Sequence, residues 1–182
     1  MPPSLTLVLP TTSTMKNPLL LPLLLLPTLV ACGGPEAELT KVLPTPPESF
    51  WSEQVPATPR GVTEGLARAA DGEAVALRGT LQDFVEGLAA FTLVEEALDH
   101  CDEMGEDDHC PTPWDYCCAD PDALRAGTVA VELRDDSGLP GAWRVQGFHG
   151  LDRLSEVFVE GVLERDSAGN ALIVASRISP AL

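Results

Sequence analysis

Glu73-Ala74-Val75-Ala76-Leu77-Arg78-Gly79-Thr80-Leu81 is the stretch that decides the fold class. Val75, Leu77, Gly79 and Leu81 alternate with Ala76, Arg78 and Thr80. A period of two places every second side chain on one face, which is the signature of a half-buried strand rather than a helix. Downstream, Ala90-Phe91-Thr92-Leu93-Val94 reads as a second strand. Thr128 to Arg134 reads as a third, with Val129, Val131 and Leu133 on one side and a turn at Asp135-Asp136-Ser137-Gly138. Trp143 to Gly147 is expected to extend or pair with that strand. Gly150 to Leu154 spaces Leu151 and Leu154 three apart, as one short helical turn would. A fourth strand runs Glu156 to Leu163 and a fifth Ala171 to Ser179, joined through Asp166-Ser167-Ala168-Gly169-Asn170, whose glycine and asparagine allow the positive φ that a hairpin needs. The expectation is a mainly β domain of five strands with Val75, Leu77, Phe91, Val129, Val131, Val157, Val159 and Val174 largely buried.

Upstream the chain changes character. Lys16 is the only charged residue before the leucine run Leu19 to Leu26, which ends Leu29-Val30-Ala31-Cys32. A basic start, a short apolar stretch interrupted by Pro22 and Pro27, and small residues at its end make a secretory signal peptide over residues 1–31, too short to span a bilayer stably. Met15 is a candidate true start. Leu29 to Cys32 resembles the lipobox of bacterial lipoproteins, in which the cysteine thiol receives diacylglycerol and cleavage exposes its amino group. That resemblance implies lipidation of Cys32 and a membrane partner through the acyl chains, each buried methylene adding about 0.8 kcal/mol. Gly33 stands where an aspartate would signal inner-membrane retention in enterobacteria, so the resemblance points to the periplasmic face of an outer membrane. From 32 to 61 the chain carries Pro35, Pro44, Pro46, Pro47, Pro56 and Pro59, which fix φ and remove donors, so it is expected to be an extended tether, with Phe50 and Trp51 docking on the domain at 62–182.

The strand order, the helical turn before the fourth strand and the glycine within the first resemble the OB-fold, a five-stranded Greek-key barrel. Leu77-Arg78-Gly79-Thr80-Leu81 with Ser155-Glu156-Val157-Phe158-Val159-Glu160-Gly161 is similar to the barrel pattern of exported bacterial OB-fold proteins, including the haem chaperone of cytochrome c maturation. That chaperone carries haem on a histidine followed by a tyrosine, which Ile178-Ser179-Pro180-Ala181-Leu182 does not offer, so no cofactor is expected. Cys110-Pro111-Thr112-Pro113-Trp114-Asp115-Tyr116-Cys117-Cys118 resembles a segment of a group of uncharacterised bacterial lipoproteins and brings no activity with it.

Between the second and third strands, about 95–127, lies an insertion far longer than a hairpin needs, and such loops are functional or disordered. It holds Cys101, Cys110, Cys117 and Cys118, and its acids include Asp99, Asp102, Glu103, Glu106, Asp107 and Asp108. Two chemistries fit. An oxidising exterior favours two disulfides, worth roughly 2–4 kcal/mol each, with the adjacent Cys117 and Cys118 each pairing with Cys101 or Cys110. Free thiolates with His109 or His100 would instead suit zinc or copper(I), although no Cys-x-x-Cys pair is present. The acids lack the oxygen-ligand alternation of a calcium loop.

The whole chain carries a formal charge of −17, and removal of Lys16 with the signal leaves the mature chain one unit more negative. That balance repels polyanions and argues against a nucleic-acid surface. No nucleophile elbow or Gly-rich phosphate loop is present, and His149 reads as a loop residue. The expectation is a non-enzymatic envelope lipoprotein, a membrane-tethered binding module whose acidic insertion meets a protein or metal-ion partner. The alternatives are a zinc- or copper-binding envelope protein using the insertion, and an envelope enzyme with a titratable pair around His100 or His149.

Overall fold

The computed structural model describes residues 42–101 and 110–181. In chain order its elements are β1 (Arg60–Gly61), α1 (Val62–Arg68), β2 (Ala74–Phe84), β3 (Ala90–Val94), α2 (Pro121–Ala126), β4 (Thr128–Glu132), β5 (Glu156–Arg165) and β6 (Ala171–Pro180), with single 3-10 turns at Glu48–Phe50 and Phe148–Gly150. The chain is mainly β, built on a six-stranded mixed sheet.

Pairing follows the alternation of apolar side chains. β2 runs antiparallel to β3 with Leu81 opposite Leu93, and β3 antiparallel to β4 with Phe91 opposite Val131. β4 lies parallel to β6, β6 antiparallel to β5, and β5 antiparallel to β2 with Leu77 opposite Val159. The ladder that leaves β2 through β3 therefore returns to β2 through β5. Leu77, Leu81, Phe91, Leu93, Val131, Val159, Leu163, Ile173 and Ile178 are buried inside it as one apolar cluster.

Several expectations need correction. The sheet has six strands rather than five, because Arg60–Gly61 pairs in parallel with Leu77–Arg78, and two residues are too few to show a period. Trp143 to Gly147 forms no strand: the Arg144 N–H donates to the Pro44 carbonyl at 2.8 Å, while Arg134 bridges Pro140 across its own hairpin. The helical turn falls at Phe148–Gly150, slightly before the leucine pair, after Gly147 at φ 89°. Val75 and Val174 are half-buried; the other six residues expected in the core are buried. For Val174 the reason is a bulge. Arg177 pairs with Glu160 but Ala175 with Gly161, so Ser176 is extra and the inward set changes from Ile178 to Ala175 and Ile173. Gly161 makes the bulge possible, since a Cβ there would lie 2.4 Å from the Val174 carbonyl oxygen.

Two short helices complete the fold. α1 lays Val62 and Gly65 on the sheet, and a Cβ on Gly65 would meet the Leu77 side chain at 2.2 Å. α2 starts at Asp120, whose carboxylate accepts from the N–H groups of Asp122 and Ala123, with Pro121 in the first helical position. Residues 42–52 lie against the sheet: Phe50 is 5.7 Å from the Trp143 ring, and the Ser52 N–H donates to the Ile178 carbonyl at 3.0 Å.

Candidate functional site

The insertion is closed at its base, where the Glu95 N–H donates to the Gly127 carbonyl at 2.7 Å. The Glu95 carboxylate accepts from the Thr63 N–H at 2.8 Å, tying this base to the first turn of α1. Asp115 organises the returning limb. Its carbonyl accepts from the Cys101 N–H at 2.8 Å, and its carboxylate accepts from the Tyr116 N–H at 2.8 Å and the Gln82 amide at 3.2 Å. Tyr116 is thereby buried, with the His100 ring edge-on at 6.3 Å. Trp114 lies beneath the Arg153 guanidinium at 4.6 Å, and Arg153 in turn holds Asp83 at 3.2 Å.

This scaffold gathers the cysteines. Cys101 is buried, and its sulfur stands 3.2 Å from that of Cys117, which stands 3.8 Å from that of Cys118. All three sulfurs fall within 4.8 Å of one another. Hydrogen bonding with the Cys101 sulfur and then with the Cys118 sulfur pushes the Cys117 thiol up to about 12. Cys110 is held below the ordinary thiol range, first by the Thr112 hydroxyl at 3.4 Å and then by the Thr112 backbone. Four thiolates around one zinc, at about 2.3 Å each, would sit roughly 3.8 Å apart. The Cys117–Cys118 gap matches that spacing, and the Cys101–Cys117 gap is shorter, between that spacing and the roughly 2.05 Å of a disulfide bond. Cys32, His109 and the acids 102–108 lie outside the described residues.

A second feature went unread in the sequence. Across the outer face of β3 and β4 runs a shallow groove of about 620 Å3. Thr92, Thr128, Ala130 and Ala171 contribute small side chains to it, Leu66 and Arg125 come from the two helices, and Ala168 to Asn170 from the β5–β6 turn. Asp166 braces the turn: its carboxylate accepts from the Ala168 and Asn170 N–H groups at 2.8 and 2.9 Å and from the Asn170 amide at 2.7 Å, and these bonds, the Asn170 side chain foremost, hold its carboxyl below the usual carboxylate range. Arg165 donates to the Leu66 carbonyl at 2.6 Å and fixes α1 beside it. The sequence signals for this groove were the small residues alternating outward on β3 and β4 and the Asp120-Pro121 start of α2.

His149 is placed elsewhere. Its ring stacks on Trp51 at 4.4 Å with an interplanar angle of 2°, and its Nε2 lies 2.8 Å from the Glu48 carboxylate. The two described histidines therefore have different neighbours, Tyr116 for one and Trp51 for the other.

No protein-family model matches the chain, and no curated protein matches it. Among solved structures, the chain is similar to one described as "OBody AM1L10 bound to hen egg-white lysozyme", at 15% identity and a TM-score of 0.39, covering 72% of this chain and 98% of that one. At that TM-score the likeness bears on neither fold nor function.

Proposed function

We propose that this chain is a lipid-anchored protein of the cell envelope whose domain is a non-enzymatic binding module, an OB-like barrel. The observation that carries the barrel reading is the return of the strand ladder to β2 in the order β2-β3-β4-β6-β5, with β1 as an accessory strand. OB-folds bind on the face of their second and third strands, flanked by loops. Here those strands are β3 and β4, and the groove of about 620 Å3 runs across them. The insertion contributes one wall through Arg125 and Ala126. The pair that most favours an enzyme is His149 with Glu48, and the stacking of that imidazole on Trp51 supports a structural part for it instead.

Anchoring rests on Leu29-Val30-Ala31-Cys32 behind the apolar run. Cys32→Ala is expected to abolish incorporation of labelled palmitate and to release the domain from membranes on detergent-free washing; a variant that stays membrane-bound would contradict the anchor. Within the insertion, Cys101–Cys117 as one disulfide leaves Cys110–Cys118 as the other, and both would order a loop with little apolar surface of its own. Three sulfurs within 4.8 Å also favour a second reading, a soft-metal site of zinc or copper(I) at Cys101, Cys117 and Cys118.

A further inference from the structure

Three thiols converge in the insertion, and among the described residues no histidine or carboxylate joins their group. Cys117 and Cys118 are adjacent in a tight turn closed by the Ala119 N–H on the Tyr116 carbonyl at 3.0 Å, with their sulfurs 3.8 Å apart. The Cys101 sulfur reaches them from the outgoing limb, 3.2 Å from that of Cys117, and all three stand within 4.8 Å of one another. The domain holds them there. The Asp115 carbonyl takes the Cys101 N–H, the Asp115 carboxylate takes the Gln82 amide of β2, and Tyr116, the residue before the adjacent pair, is buried.

The donor type and the number of donors choose the ion. Thiolates are soft ligands, suited to copper(I) or zinc rather than to the hard cations that carboxylates hold. Structural zinc takes four protein ligands in a tetrahedron, and its three-ligand catalytic sites include histidine. Here the group is three sulfurs with no histidine. The remaining thiol of the insertion, Cys110, falls outside it, with its sulfur on the Thr112 hydroxyl at 3.4 Å and the Thr112 carbonyl at 3.6 Å. Copper(I), with a filled d shell and a single charge, is satisfied by three thiolates in a plane. At about the 2.3 Å of a zinc thiolate, such sulfurs stand roughly 4.0 Å apart, so the gaps to Cys117 need to open by less than about 1 Å. Cys117 and Cys118 are exposed and Cys101 is buried, so an ion enters from solvent by way of the adjacent pair and is closed in by Cys101.

We propose that the reduced chain binds a single copper(I) ion through the Cys101, Cys117 and Cys118 thiolates. The inference rests on the soft-metal reading of these cysteines and adds to it the ion, the ligand number and a dependence on redox state. Binding exchanges the three thiol protons, released to solvent, for the ion. A Cys101–Cys117 disulfide uses two of the same sulfurs, so bridge and site exclude one another. Opening each bridge takes two electrons and two protons from a dithiol, which is itself oxidised to a disulfide.

The test uses the full chain, reduced with dithiothreitol under nitrogen, freed of reductant and titrated with copper(I) held by bicinchoninate. One equivalent should pass to the protein, X-ray absorption should show three sulfurs at about 2.3 Å, and an about tenfold excess of zinc should not displace the ion. The same chain reoxidised until no thiol is free should take up none. Cys118→Ser, an exposed turn position that should keep the far-UV circular dichroism, is expected to weaken binding by about a hundredfold or more, and Cys110→Ser by less than about threefold. Zinc held by four sulfurs in preference to copper, with Cys110→Ser as damaging as Cys118→Ser, overturns the copper site and leaves the soft-metal reading standing. Uptake of neither ion by the reduced chain overturns that reading, and the inference with it. Copper uptake that survives Cys101→Ser, Cys117→Ser and Cys118→Ser combined places the ion elsewhere and overturns the site.

Discussion

Ile173→Ala and Val174→Ala, made separately, test the register of the last strand. Ile173 is fully buried between Val131 on β4 and Leu163 on β5, so truncation removes apolar contact on both sides and leaves a cavity. Such losses cost about 2–5 kcal/mol, the upper part of the range applying where backbone on both sides prevents collapse. Val174 stands opposite Val162, which is 40% exposed, and its truncation should cost under about 1 kcal/mol. The ordering is informative because plain alternation back from Ile178 would bury Val174 and expose Ile173; only the extra Ser176 reverses it. Urea unfolding followed by circular dichroism, with m unchanged between variants, gives both values, and thermal midpoints should fall by roughly 3–5 °C per kcal/mol for a domain of this size. If Val174→Ala proves the more damaging, the bulge and the pairing of β5 with β6 are misplaced.

Four further outcomes are expected. Gly161→Val should destabilise by about 1–3 kcal/mol or more, since its Cβ would meet backbone at 2.4 Å; a change within 0.5 kcal/mol on urea unfolding would deny the close approach. Peptide mapping of exported protein under non-reducing conditions should link Cys101 to Cys117 and Cys110 to Cys118; free thiols with stoichiometric zinc or copper by elemental analysis would replace the disulfides with a metal site. Asp166 has its folded-state carboxyl below the unfolded value of about 3.9, so its stabilisation is present above that pH and lost as pH falls through the folded value. The stability gap between wild type and Asp166→Asn should therefore shrink below about pH 4, and a gap independent of pH would show that the carboxylate is not the stabilising species. Arg134 donates to both Glu164 oxygens at 3.0 and 2.9 Å, with Glu164 46% exposed, so a double-mutant cycle with Arg134→Met and Glu164→Gln should give a coupling of about 0.5–1 kcal/mol; zero coupling would remove the pair as a brace between β5 and the segment that follows β4.

Much of the sheet was legible because a half-buried strand writes its own period. Ala90–Val94 was read to the residue, with Phe91 and Leu93 in the apolar cluster and Ala90 and Thr92 half-buried on the other face. The Trp51 and Phe50 rings were legible as groups needing a dry surface, which Phe148 and Trp143 supply. The bulge at Ser176 was not, since an extra residue leaves no trace in composition and depends on a partner strand with Gly161 opposite. β1 is too short for any pattern, and α1 has a glycine at its centre that lowers helix propensity but is required by Leu77 beneath it. α2 did carry a readable start in Asp120-Pro121, obscured by the length of the insertion around it. The cysteines were visible as a set, yet which sulfurs approach depends on Asp115 receiving the Cys101 N–H and the Gln82 amide, a long-range arrangement. The groove across β3 and β4 arises from small outward side chains framed by distant segments, which sequence order does not bring together.

The lipid anchor is tested most directly by the mass of the N-terminal peptide of the mature protein, isolated from membranes after proteolysis. The expected peptide begins at Cys32 and carries diacylglycerol on its thiol. A peptide beginning at Met1 or Met15, or one beginning at Cys32 with an unmodified thiol, would contradict the lipid-anchored envelope module proposed here.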